Sequence, residues 1–145
     1  MNPIRPHDRF TRELTLTDAE VSAFARASGD ANPLHHDPVY ARKTRYGGVI
    51  ASGPQTSALL MGLVATRLSQ LGPMAGLEFS FFFKHGVPAN ERLQLEWLVV
   101  GVTPTSSGAA DVVDLRGRLR TASGVTAVGA KGRALVARES HRERA

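Results

Sequence analysis

The sequence predicts an α+β fold in which a curved antiparallel sheet wraps around one long central helix, and three observations predict it. Residues 53–70 read as a single helix whose middle, SALLMGLVAT, is apolar on nearly all sides, as a helix enclosed by other structure must be. After Gly72-Pro73 the apolar period switches from the helical value to two and stays there. The strands that follow have no helices between them, which favours antiparallel pairing. A sheet curved around the helix covers only part of it, so a further layer, a second copy of the chain or a tandem partner, is expected over the rest.

The elements follow in order. RFTRELTLT alternates as a strand, with Phe10, Leu14 and Leu16 pointing inward. Thr17 with Glu20 three residues later forms a capping box, and Val21, Phe24, Ala25 and Ser28 make one helical face that Gly29 ends. Asn32-Pro33 and Asp37-Pro38 oppose regular helix and shape residues 30–37 into a loop. Pro38 then suits the first position of a short helix, and Gly47, Gly48 and Gly53 mark another turn. The long helix over 53–70 spans roughly 27 Å at the standard rise. Leu77, Phe79, Phe81 and Phe83 share one face of the next strand, with Glu78, Ser80, Phe82 and Lys84 on the other. Leu93, Leu95, Trp97 and Val99 repeat the pattern. So do Val113, Leu115, Gly117 and Leu119, opposed by Asp114, Arg116, Arg118 and Arg120, and a weaker strand runs from Val125 to Val136.

At 145 residues, with 42% hydrophobic and 21% charged side chains, the chain fits one ordinary globular domain. We place it at residues 1–138, with a basic tail at 139–145. The net charge of +5 is concentrated near the end: residues 131–145 hold five Lys/Arg against two Glu, so three of the five net charges lie there. This reads as a solvated end, and no phosphate loop, basic recognition helix or aromatic-basic stripe indicates a nucleic-acid partner. Neither a signal-type apolar segment nor a membrane-length run is visible, so the expectation is a cytoplasmic protein with no membrane partner. Cysteine is absent, which excludes disulfides, thiolate nucleophiles and Cys-type zinc sites.

The chemistry concentrates in GDANPLHHDP, residues 29–38. Asp30 and His35 lie five positions apart with Pro33 between them, so only the loop itself can bring them together. A carboxylate beside an imidazole can hold and polarise a water. The same residues have a purely structural reading, in which Asp30 caps a turn, His35 and His36 are half-exposed loop residues and Asp37 caps the short helix; spacing alone favours it. No metal is expected, because adjacent residues such as His35, His36 and Asp37 rarely converge on one ion and no H-E-x-x-H pattern accompanies them. A Ser-His-Asp triad has no G-x-S-x-G elbow to support it.

FARASGDANPLHHDPVYA, followed by GGVIASG and a long apolar helix, resembles the MaoC-like dehydratase family, which includes the (R)-specific enoyl-CoA hydratases. The chain matches every fixed position of the pattern S-G-D-x-N-P-x-H-x-D from Ser28 to Asp37, and the resemblance runs from about Phe24 to Arg92. It implies the hot-dog fold, usually dimeric. Carried over by position, it makes Asp30 and His35 the pair that activates water for addition across a trans-2-enoyl thioester, giving the (3R)-3-hydroxyacyl thioester, or for the reverse dehydration. Asn32 would support the loop and bond the catalytic groups, while His36 falls on a variable position.

Hydration of an enoyl thioester puts charge on the thioester oxygen, which calls for a donor aimed at that oxygen. The first N–H groups of the long helix lack intrahelical partners, and since Pro54 has none, Gly53 is the candidate. The resemblance implies the same residue. Two departures stand out. The serine that some (R)-hydratases carry one turn into this helix falls, by gapless count, on Ala58 with Ser57 beside it, and HGVPANERL replaces a Pro-Gly-Asp turn. No cofactor is expected beyond the coenzyme A, or acyl carrier protein, that is part of the substrate. Arg42, Lys43, Arg45 and Lys84 read as a solvated charged face rather than a phosphate site. Rival readings are a thioesterase on the same fold and a non-catalytic acyl-thioester-binding subunit.

Overall fold

The computed structural model describes residues 3–138, and the basic tail expected at 139–145 lies outside them. The order is β1 (Arg9–Thr15), α1 (Asp18–Ala27), a 3-10 turn (Pro33–His35), α2 (Pro38–Arg42), α3 (Gly53–Ser69), then β2 (Met74–Phe83), β3 (Arg92–Pro104), β4 (Ala110–Arg120) and β5 (Thr126–Ala137). All five strands form one antiparallel sheet in the order β1-β3-β4-β5-β2. Alternation predicts the N-terminal strand but not its neighbour; it joins the sheet beside β3, with Phe10 opposite Trp97 and Leu14 opposite Leu93.

Local signals in the sequence set the helix ends. Thr17 and Glu20 form the capping box reciprocally. Ser52 caps α3 by accepting from the Gln55 N–H, and α3 packs against all five strands. The apolar faces of β3 and β4 are its floor: Leu93, Leu95, Trp97, Val99, Val113 and Leu119 are fully buried, as are Leu60, Val64 and Leu68 of the helix. Trp97 is the pivot. Its indole N–H donates to the Leu60 carbonyl over 2.8 Å, and its ring meets Phe79 edge-on at 6.0 Å, a favoured aromatic geometry.

One expectation needs correction. Leu77 does not share the inward face of Phe79 and Phe81; it is 51% exposed. A bulge between Gly76 and Glu78 shifts the register there, whereas Phe83, exposed on the edge strand, still turns its ring over Gly53 on the helix side. As expected of a single sheet, α3 is covered on one face only. Gln55, Thr56, Leu60, Val64 and Leu68 are buried, whereas Ala58, Met61, Gly62 and Ala65 form an uncovered stripe on the opposite side. Among the described residues no helix is long and apolar enough to cross a membrane.

Gly117, directly opposite Trp97 in the β3–β4 pairing, leaves the space the indole occupies: a Cβ built there lies 2.6 Å from the ring. Gly117→Ala should therefore lower the free energy of unfolding by about 1–3 kcal/mol through overpacking, measured by urea denaturation; an unchanged midpoint would mean that the ring has room to shift.

Candidate active site

The polar cluster at residues 28–38 is mostly a chain of helix stops and starts. Ser28 ends α1, and Gly29 takes φ +77°. The Gly29 N–H then returns to the Arg26 carbonyl and the Asp30 N–H to that of Ala25, at 3.0 and 2.8 Å, the paired bonds of a Schellman stop. Asn32 caps the 3-10 turn by accepting from the Leu34 N–H at 3.1 Å. Asp37 caps α2 by accepting from the Val39 and Tyr40 N–H groups. The structural reading of the motif is thus correct for Asp37 and for Asp30, whose Oδ1 accepts the Asn32 N–H across a turn at 2.9 Å. Asn32 supports the loop through its cap, and its bond to Asp30 comes from the backbone N–H.

Asp30 and His35 are brought together. Asp30 Oδ2 stands 3.6 Å from His35 Nε2, beyond hydrogen-bonding range for a direct contact. The His35 side chain is 7% exposed and that of Asp30 31%. His35 Nδ1 is 2.7 Å from the Ile50 carbonyl. A carbonyl can only accept, so Nδ1 carries the proton and, in the neutral ring, Nε2 presents its lone pair towards Asp30. Ile50 is itself fixed: its N–H donates to the Leu34 carbonyl, and the flanking Val49 and Ala51 bond to Ala89 and Val87. A loop held by the surface helix α1 therefore supplies the carboxylate. The imidazole is buried and tied to an ordered core segment.

His35, Asn32, Gly53 and Thr56 line one cavity of about 560 Å³, walled by Ile50, Val87 and Val128 on its apolar sides. Asp30 does not line this cavity; it lines a second groove with Gly29 and His36. Gly53 begins α3. The Gln55 N–H is taken by Ser52 Oγ and the Thr56 N–H by the Ser52 carbonyl, and Pro54 has none, which leaves Gly53 with a backbone donor that no described residue engages. The Phe83 ring lies over Gly53, 3.2 Å from where a Cβ would stand. The hydroxyl that α3 gives the cavity belongs to Thr56, which is buried and donates to the Gly53 carbonyl at 3.0 Å. Ser57 and Ala58, counted as candidates from the sequence, do not line it. One and two positions of helical phase separate them from Thr56, and the sequence carries no other signal for it.

Of the four cations suspected of meeting phosphate, Arg45 and Lys84 line this cavity, joined by His85, while Arg42 lines a separate groove. Arg45 donates to Tyr46 Oη at 2.8 Å and lies 4.9 Å from that ring's centre. That hydrogen bond raises the guanidinium pKa above its ordinary value, so the group stays cationic at the mouth. Among the described residues no group of three or more His, Asp or Glu side chains could hold a metal ion.

A helix packed on one curved antiparallel sheet is the architecture of the hot-dog proteins. Residues 2–116 match the model of the MaoC like domain, and the chain belongs to that family. It is 41% identical over 64 residues, 43% of this chain and 48% of the other, to the (R)-specific enoyl-CoA hydratase of Aeromonas caviae. It is 32% identical over 120 residues, 75% and 77% of the two chains, to a UPF0336 protein of Streptomyces avermitilis. The solved (R)-hydratase of A. caviae involved in PHA biosynthesis superposes with a TM-score of 0.80 at 27% identity, covering 92% of this chain and 98% of that one.

Proposed function

We propose that the protein is a hydro-lyase that adds water to a trans-2-enoyl thioester, giving the (3R)-3-hydroxyacyl thioester, or runs the reverse dehydration. The 3.6 Å gap between Asp30 Oδ2 and His35 Nε2, beside the unengaged Gly53 N–H, carries this reading. Two acceptors at that spacing can take one hydrogen each from a single water and leave its oxygen lone pair aimed into the cavity. When that oxygen bonds to C3, the alkene electrons move through C2 onto the thioester oxygen, where the Gly53 N–H and the α3 dipole meet the charge. The pair takes the proton that water loses and gives a proton to C2 as the enolate collapses, returning to its starting state. Atoms balance with one water consumed and no cofactor. The (3R) outcome is supported by the likeness to the Aeromonas enzyme.

The substrate's carrier, coenzyme A or an acyl carrier protein, brings a phosphate to the cavity mouth in either case. Arg45, Lys84 and His85 there favour an anionic carrier arm. A second copy of the chain is the proposed cover for the uncovered stripe of α3 and for the β2 edge. That edge exposes Leu77, Phe82 and Phe83, whereas the opposite edge, β1, carries Arg9, Arg12 and Glu13, charges that discourage strand addition.

With crotonyl-CoA, the purified protein should remove the enoyl absorbance without releasing thiol, and Asp30→Asn and His35→Ala should each lower kcat by about 10²-fold or more. Thiol release would mean a thioesterase, and neither signal a binding subunit. The double variant Arg45→Ala with Lys84→Ala should raise KM several-fold with kcat little changed; an unaltered KM would remove the basic mouth from substrate binding. Sedimentation equilibrium should give twice the chain mass for the wild type, and monomers after Leu77→Lys with Phe82→Lys; a monomeric wild type would refute the second copy.

A further inference from the structure

His36 falls outside the family pattern, yet its ring makes two of the shortest side-chain contacts in the loop. Nδ1 lies 2.7 Å from Ser22 Oγ on α1, and Nε2 lies 2.7 Å from the Asp30 backbone carbonyl. The carbonyl accepts only, so Nε2 carries a proton, and in the neutral ring Nδ1 accepts the Ser22 hydroxyl proton. The chain of bonds runs from helix to ring to the residue that bears the candidate carboxylate.

Counting the polar groups of Asp30 shows what this does. Its N–H is held by the Ala25 carbonyl, its carbonyl by His36 Nε2–H and its Oδ1 by the Asn32 N–H. Only Oδ2 remains, and it faces His35 Nε2. Without the ring, the Asp30 carbonyl would lose its partner, and only the bonds to Ala25 and Asn32 would hold the residue. We propose that His36 is a positioning residue: it clamps the Asp30 carbonyl through Nε2–H, with the Ser22 hydroxyl donating to Nδ1, so that Asp30 Oδ2 stays at water-sharing distance from His35. This rests on the hydro-lyase reading above and adds to it a residue that touches neither substrate nor water. It acts by geometry, and a displacement on the order of 1 Å at a reacting group can cost about 10²-fold in rate.

Paired amide substitutions separate the clamp from general packing. The amide nitrogen of His36→Gln reaches the place of Nε2 and can still donate to Asp30. That of His36→Asn reaches the place of Nδ1, and so Ser22 but not Asp30. His36→Asn should lower kcat by about tenfold with KM within twofold of wild type, and His36→Gln should restore most of the loss at an equal unfolding temperature. Equal kcat in the two variants, whether both intact or both lost, overturns the proposal. A second readout needs no turnover: nitrogen-15 NMR of the wild type in mildly alkaline solution should show His36 protonated at Nε2 and bare at Nδ1, and the opposite tautomer overturns the clamp. Should the wild type fail to hydrate crotonyl-CoA, the hydro-lyase reading fails by itself and the NMR result decides the clamp.

Discussion

A buried indole N–H must find an acceptor, and Trp97 finds one in the middle of the central helix, at the Leu60 carbonyl. That bond fixes how far along its axis α3 lies over the sheet. The sheet is shaped to the aromatic rings that seat the helix. Gly117 stands opposite Trp97 and Gly132 opposite Phe79, and at both positions a Cβ would run into the ring at 2.6 Å or less. Leu60 is two turns into α3, so anchoring its carbonyl also sets where the helix begins. That beginning is Gly53, which lines the cavity that contains His35. The position of a backbone donor at one end of the fold thus follows from side-chain packing near its middle.

Around the cavity the polar groups divide sharply. Most are consumed by local structure: Ser52, Asn32 and Asp37 cap helices, and the backbone of residues 29–30 closes the end of α1. Asp30 Oδ2, His35 Nε2 and the Gly53 N–H stay uncommitted among the described residues. A loop with this many unpaired polar atoms would be soft. Because its caps are satisfied, it holds a carboxylate and an imidazole at a fixed separation with no direct bond between them, a preorganised arrangement in which the protein, rather than the reactants, bears the cost of ordering.

Much of this was legible in the residues. The capping box at Thr17 and Glu20, the start of α3 at Gly53 and the buried alternation of Leu93, Leu95, Trp97 and Val99 are local signals, and each is realised in place. The Asp30 to His35 spacing and its family pattern picked out two side chains that the fold brings within 3.6 Å of each other. What failed was non-local. Leu77 alternates correctly in sequence, but a bulge puts it in solvent, and nothing in ten residues of strand records where the register slips. The partial cover of α3, by contrast, followed from a single sheet curving around it. Thr56, rather than Ser57 or Ala58, faces the cavity because of one or two steps of helical phase. His36 occupies a variable position, and only the tertiary approach of α1 gives it Ser22 as a partner.

The two halves of the candidate pair rest on unequal foundations. His35 hangs from Ile50, within a segment bonded on both sides to residues 87–89, whereas Asp30 closes the last turn of a ten-residue surface helix. Helix ends open locally at far lower free energy than cores do. On warming, fraying of α1 carries the carboxylate away while the imidazole stays in place, so loss of the pair precedes loss of the fold, and the thermal ceiling of the site is set by a helix terminus rather than by the sheet.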